Sequence, residues 1–250
     1  MVTDHTNPKL RLHLTTEQTP PDSPLVPDFP LPGEAQFQGP PAMPSALLRL
    51  QLCLSAPVVD LQDTTNIIKS DIGLAVQVLR LAARKTEPSP GKIPPVSEIA
   101  IQFGTGSLGA LAAHTKPLPE HLRSRAGLSA CERFWTHSRL TALVAVELAE
   151  QTSDVNPEEA YLAGLLCHLG ELPSLLRWTK AGSDPKDPRQ IGYDMAKAWE
   201  LPGVLADVIG AYGEVGPTPE SRALLEIAEA SDNWARQLEY LAVRDAMRSK

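Results

Sequence analysis

No block of lysine and arginine occurs in the sequence: 23 basic residues are spread among 30 acidic ones, for a formal net charge of −7 at pH 7. A protein that holds nucleic acid by its phosphates neutralises them with clustered basic side chains, so no nucleic-acid partner is expected. Long apolar runs are missing as well. Nothing approaches the roughly 18 consecutive apolar residues of a membrane-spanning helix, and the opening MVTDHTNPKLRLHLTTEQ has no apolar core of signal-peptide type. No membrane association is expected. Cysteine is scarce: Cys53, Cys131 and Cys167 are widely separated and odd in number. That is not a disulfide framework, and free thiols in a reducing, cytoplasmic setting are the simplest reading. The phosphate loop, the Gly-x-Ser-x-Gly elbow and the Cys-x-x-Cys pair are all absent. Period-two alternation is rare, so no sheet is expected.

What is abundant is proline at one end and helical periodicity over the rest. Ten of the 24 prolines fall within residues 1–45, chiefly in TPPDSPLVPDFPLPGE and GPPAMP. Proline removes backbone donors and blocks helix, and few large apolar residues remain there to offset the entropy of ordering. Residues 1–40 are therefore read as an extended, mostly disordered arm, with a proline-rich ligand for a partner as the functional alternative. From Ser45 onward, segments such as SALLRLQLCLSA, TTNIIKSDIGLAVQVLRLAARK and RFWTHSRLTALVAVELAEQT place apolar residues every three or four positions. So do PEEAYLAGLLCHLGEL and ESRALLEIAEASDNWARQLEYLAVRDAMR, the pattern of amphipathic helices. Asp154 or Asn156 can cap a helix that Pro157 begins, and Pro202 fits the first turn of another. The spacing predicts an all-α domain over 41–250, interrupted by EPSPGKIPPV (87–96) and KPLPEHLRSRAGL (116–128). The second break divides an N-terminal helical subdomain, 41–115, from a C-terminal one, 129–250. FGTGSLG (103–109) is glycine-rich but lacks the lysine of a phosphate loop, so it reads as a helix start or hinge.

Of six histidines, His5 and His13 fall in the arm, and His114 and His121 lie near a loop with no thiol or carboxylate arranged around them. His137 and His168 differ, because each sits in a helical run among apolar neighbours. Such an imidazole is a satisfied core group, a metal ligand or an acid–base residue. Cys167 beside His168 adds a second metal-capable side chain to the run AYLAGLLCHLGELP.

In order along the chain, these segments resemble the HDOD (HD-related output domain) family. PAMPSALLRLQLCL is similar to that family's opening helix, and NIIKSDIGLAVQVLRLA to its Asp-Pro-x-Leu segment, with Ile72 where proline is usual. IPPVSEIAIQFG resembles the turn and helix that follow. ERFWTHSRLTALVAVELAEQ and NPEEAYLAGLLCHLGELPSLL look like the Trp-x-His-Ser helix and its successor; IGYDMAKAWELPGVLADVIGAY and EIAEASDNWARQL resemble the closing stretches. The similarity covers about residues 41–240 and implies an HD-like helical bundle.

The parent superfamily of metal phosphohydrolases ligates its ions with a His, a His-Asp pair and a distal Asp. Carried over by position, His137 matches the first histidine and Asp232 the last aspartate, while the central pair falls on Cys167 and His168. Further family histidines fall on Pro188, Tyr212 and Gly213, and Glu171 replaces a lysine. A hydrolytic site needs deprotonated ligands, an open position for water and a group to move a proton; proline and glycine supply none of these. The resemblance implies a degenerate, non-catalytic signal-transduction output domain without a cofactor, acting through contact with a signalling protein partner. In that reading Cys167 packs as a small hydrophobe and His168 pairs with a carboxylate or carbonyl. The alternative is a zinc site on His137, Cys167, His168 and Asp232, or a metal-dependent phosphohydrolase with this altered ligand set. A third reading is a nucleotide-responsive binder using the same cleft. The groove between the two subdomains is the expected contact surface, with the arm modulating access. Any exposed member of Trp135, Trp178, Trp199 and Trp234 is a candidate interface anchor.

Overall fold

The computed structural model describes residues 39–85, 92–122, 124–152, 154–178, 187–210 and 218–248. The arm expected over 1–40 lies outside them apart from Gly39 and Pro40, as do His5, His13, Tyr212 and Gly213. Helical periodicity is realised as α1 (Pro44–Leu54), α2 (Leu61–Lys69), α3 (Ile72–Lys85), α4 (Val96–His114) and α5 (Arg125–Glu150). There follow α6 (Pro157–Leu166), the single turn α7 (Leu172–Leu175), α8 (Pro188–Ala198), α9 (Gly203–Gly210) and α10 (Pro219–Arg248). Among the described residues no strand forms, and one isolated bridge joins Ala42 to Pro117. The domain is all-α.

Helix starts have local causes. Asp60 accepts from the amides of Gln62 and Asp63 at the head of α2, Ser124 from Gly127 in α5, and Asp187 from Arg189 in α8. Of the two caps expected for α6, Asn156 is used, accepting from the Glu158 amide. Pro157 and Pro188 take the first helical positions, where the missing N–H has no helical partner to lose. The hinge expected in FGTGSLG is a kink inside α4, where Gly104 adopts φ 69 and ψ 172, a conformation that side chains strain to reach.

Helices α1–α4 pack on one another, and so do α5–α10, with α10 against α5, α6 and α9. The α5–α6 seam is built from small residues. Ala142, Ala145, Ala160 and Ala163 are fully buried, and a Cβ on Gly164 would stand 2.9 Å from the Cα of Ala142. This close approach sets the C-terminal end of α6 beside the middle of α5.

A few buried polar contacts join the two helix groups. Asp71 has no exposed surface. One of its oxygens accepts from the Leu74 amide at 3.0 Å, capping α3, and the other accepts from the Met43 amide and the Trp135 indole N–H, both at 2.9 Å. Three segments are thereby fixed to one carboxylate. Burial lifts its pKa from 3.8 to about 6, against the lowering effect of these donors. The Tyr161 hydroxyl on α6 donates to the Lys69 carbonyl at 2.9 Å, and the Glu159 carboxylate accepts from the Ile93 amide at 3.0 Å. Among the described residues no helix is long and apolar enough to cross a membrane.

Candidate functional site

Three elements deliver the candidate side chains. His137 stands in the middle of α5, Cys167 and His168 form the turn that ends α6, and Asp232 lies on α10. Because α6 and α10 both pack on α5, these positions meet. Residues four and seven positions after Asp232 share its helix face, which adds Arg236 and Glu239 to the group.

Asp232 is the hub. Its Oδ1 lies 2.9 Å from His137 Nε2, 3.3 Å from His168 Nε2 and 3.0 Å from Arg236 Nε, and Arg236 Nε is also 3.1 Å from Oδ2. Arg236 Nη2 stands 3.2 Å from His168 Nε2. On the outer edges, His137 Nδ1 is 3.2 Å from Glu239 Oε1, and His168 Nδ1 is 3.0 Å from Cys167 Sγ. The Cys167 thiol in turn reaches the Gly164 carbonyl at 3.3 Å. The two imidazoles meet edge to face with centroids 5.0 Å apart.

Partial burial disfavours charge on Asp232, but the donors from His137, His168 and Arg236 outweigh it and hold the carboxyl far below the usual carboxylate range. Burial likewise opposes charge on His168, yet the Asp232 carboxylate and the Cys167 sulfur outweigh it and raise the imidazole from 6.5 to about 10. So charged, His168 donates from Nδ1 to the sulfur and from Nε2 to Asp232. Arg236 Nη2 is then a like-charged neighbour held by the carboxylate they share.

Among the described residues, the donor atoms of His137, His168 and Asp232 lie within 4.8 Å of one another. Cys167 is not in that set, since its sulfur touches the imidazole edge of His168 opposite the one facing Asp232. Two histidines and a carboxylate are a chemically suitable zinc set. As arranged, however, they do not fit a divalent cation. Arg236 already places a positive group on the Asp232 oxygens, and the Nε2 lone pair of His168 is used in either protonation state. When protonated it carries a hydrogen, and when neutral with Nδ1–H it accepts from Arg236.

Beside the cluster a cleft of about 270 Å³ opens between the turn after α6, the start of α8, α9 and α10. Four carboxylates, from Glu171, Asp187, Glu229 and Asp232, line it against the guanidiniums of Arg189 and Arg236. Pro188 is at this rim as the first residue of α8. The other two described histidines are exposed: His114 Nδ1 lies 2.7 Å from the Ala110 carbonyl, and His121 Nε2 lies 3.4 Å from that of Leu176. Sequence reasoning missed Arg236 and Glu239. Their four- and seven-residue spacing from Asp232 on a helix was the available signal.

The sequence matches the HDOD domain family over residues 41–181. An uncharacterized protein of Treponema pallidum (strain Nichols) is 24% identical over 201 residues, covering 72% of this chain and 39% of that protein. The chain thus spans well under half of that relative's length. Among solved structures, the MmoQ response regulator of Methylococcus capsulatus (strain Bath) superposes with a TM-score of 0.61 at 15% identity, over 81% of this chain and 88% of that one. A virulence factor of Campylobacter jejuni superposes at 0.51 and 13% identity, over 78% of each chain. At such identities the likeness is one of fold.

Proposed function

This chain belongs to the HDOD domain family, and from that premise we propose that it is a non-catalytic regulatory domain of signal transduction, acting through protein contacts. One observation carries the reading: the Arg236 guanidinium rests on Asp232 and against His168, in the place a hydrolytic ion would take. A metal hydrolase needs free ligand lone pairs and an open position for water, and this network uses the lone pairs internally. The cleft's excess of carboxylates also repels a phosphoester or a nucleotide phosphate. The fold's likeness to a response regulator supports the signalling class.

The contact surface we assign is the distal half of α10. Its last buried residue is Ala235, and beyond it the helix continues to Arg248 with Leu238, Tyr240, Leu241, Val243 and Met247 exposed. Trp234, 55% exposed, stands at the base of this face, as the expected aromatic anchor. Exposed apolar surface of this kind is typical of sites where proteins meet. The test combines two measurements on the full chain. Purified protein is expected to hydrolyse bis-p-nitrophenyl phosphate no faster than buffer with added Zn²⁺, Mn²⁺ or Fe²⁺. A photo-crosslinking side chain at position 238 should trap a discrete protein that the same group at exposed position 132 does not. Turnover that disappears in His137→Ala would overturn the reading.

A second reading rests on the convergence of His137, His168 and Asp232. With the Arg236 side chain swung away, these three would hold zinc through two imidazoles and a carboxylate, as a zinc-binding protein or an altered phosphohydrolase. Stoichiometric metal in the purified wild-type protein marks that case.

A further inference from the structure

A separate cavity, sharing no lining residue with the cleft beside the histidine cluster, lies between α3 and the part of α4 beyond the Gly104 kink. It encloses about 420 Å³ and is lined by Gln77, Arg80, Leu81 and Arg84 on one side and by Ser107, Ala110, Leu111, His114 and Thr115 on the other. That volume falls within the range of small-molecule sites. Leu81, Ala110, Leu111 and the aliphatic stems of the arginines supply apolar walls, while among the described residues no Asp or Glu lines it.

Arg80 sets the chemistry. Only 3% of the residue is exposed, and its Nη1 donates to Gln77 Oε1 over a long 3.3 Å. Its Nε is buried with no hydrogen-bond partner among the described residues. A guanidinium has five N–H donors and keeps its charge at any ordinary pH, so burying one without a carboxylate is costly unless something else meets it. Glu200, in the turn after α8, pairs with Arg84 at 3.7 Å, and its side chain is 60% exposed. The backbone at Gly39 closes the other side of the group, since a Cβ there would stand 3.2 Å from Arg80 Nη1. Arg80, its charge met by no carboxylate in an ion pair among the described residues, lines the cavity, so an entering anion meets one buried cation, a second at Arg84 and apolar walls between.

We propose that this cavity binds a small organic monocarboxylate with an apolar body, its acid group paired to Arg80 and its body against Leu81 and Leu111. The forked guanidinium suits a planar carboxylate, and a charge-assisted pair in a water-poor cavity is among the stronger polar contacts available. The walls favour a hydrocarbon or aromatic body over a polyphosphate, whose multiple charges this one buried cation does not balance. Arg84 connects the site to the rest of the molecule. It lines the cavity and also holds Glu200 in the turn that ends α8, so a bound acid would compete for it with the partners it already has.

The test is calorimetric titration of the full chain at pH 7 with hexanoate and phenylacetate, each compared with its carboxamide. The acid is expected to bind at least about tenfold more tightly than the amide. Arg80→Met, which keeps the length but removes the charge, should abolish that preference. Ala110→Trp, an exposed position on α4 facing the cavity, should block both acid and amide while leaving Arg80 in place. No heat from either acid, equal binding of acid and amide, or undiminished binding in a folded Ala110→Trp protein would each overturn the proposal. The acid–amide comparison stands on the wild-type protein alone, whatever the stability of Arg80→Met.

Discussion

Arg236 does with one side chain what a bound ion does elsewhere: it neutralises Asp232 and orders two imidazoles around it. Its side chain is nevertheless 57% exposed and roots on a surface helix position, so removing it should leave the fold intact. If Arg236 holds the position of an ion, Arg236→Ala is expected to gain metal binding. Co²⁺ added to the variant should develop the visible absorption of an imidazole–carboxylate site, and the wild type should stay colourless. Adding His137→Ala to the variant should abolish the bands. Titration at single residues gives a second expectation. Asp71 is held at about 6 in the folded chain and near 3.8 when unfolded, so the folded state binds the proton more tightly. Stability is then greatest below pH 3.8 and falls as pH climbs to 6, by about 3 kcal/mol for this group alone. Asp232, held low, acts below that window. His168 has the opposite placement: raised from 6.5 to about 10, it stabilises below pH 6.5, and that contribution is lost as pH rises through 10. Urea midpoints from pH 4 to 10 check both, with Asp71→Asn flattening the acid-side decline and His168→Gln the alkaline one.

At the scale of elements, helices were legible because their signals are local. The apolar stripe of RFWTHSRLTALVAVELAEQ, Asn156 ahead of Pro157, and Gly104 inside FGTGSLG each specify a structure within a few residues. Positions His137, His168 and Asp232 were legible for a different reason, since a family resemblance carries residues over by position. The same method passes over Arg236, because a carried-over ligand pattern says nothing of which other side chains pack among those residues. Nor did any local signal mark Asp71 as the buried acceptor for Met43 and Trp135, partners 28 and 64 positions away. The α5–α6 seam is the element-scale feature that places the cluster. Gly164→Val would push a branched side chain into the Ala142 backbone, where a Cβ alone would stand 2.9 Å from the Ala142 Cα. Backbone cannot rotate aside, so a loss of about 1–3 kcal/mol in urea unfolding is expected. The edge-to-face contact of His137 and His168 should loosen with it, seen as converging imidazole shifts in NMR spectra.

Among the described residues the helices form two groups, α1–α4 and α5–α10, each packed chiefly within itself. The interruption of α-helix between His114 and Arg125 was legible from proline spacing, whereas the manner of joining was not, since it rests on side chains far apart in sequence. Among those joints, the bond from Trp135 Nε1 to Asp71 is the most deeply buried: Trp135 is 4% exposed and Asp71 not at all. Trp135→Phe keeps an aromatic ring against Phe134, now 5.5 Å away edge to face, but removes the N–H. Asp71 then loses its one side-chain donor while staying buried, which pushes its pKa further up, a change expected to cost about 1–3 kcal/mol beyond lost packing. If the joint acts as described, the cost falls unevenly. Amide exchange should quicken at Met43 and Leu74, which share the same carboxylate, and stay slow at Ala145 and Ala163 in the α5–α6 seam. Uniform quickening across both groups would mean that they unfold as one body and that Asp71 is simply part of a common core. Selective quickening would mean that the carboxylate is a latch between two units, through which a ligand seated against Arg80 on α3 could be felt in α5, the helix that carries His137.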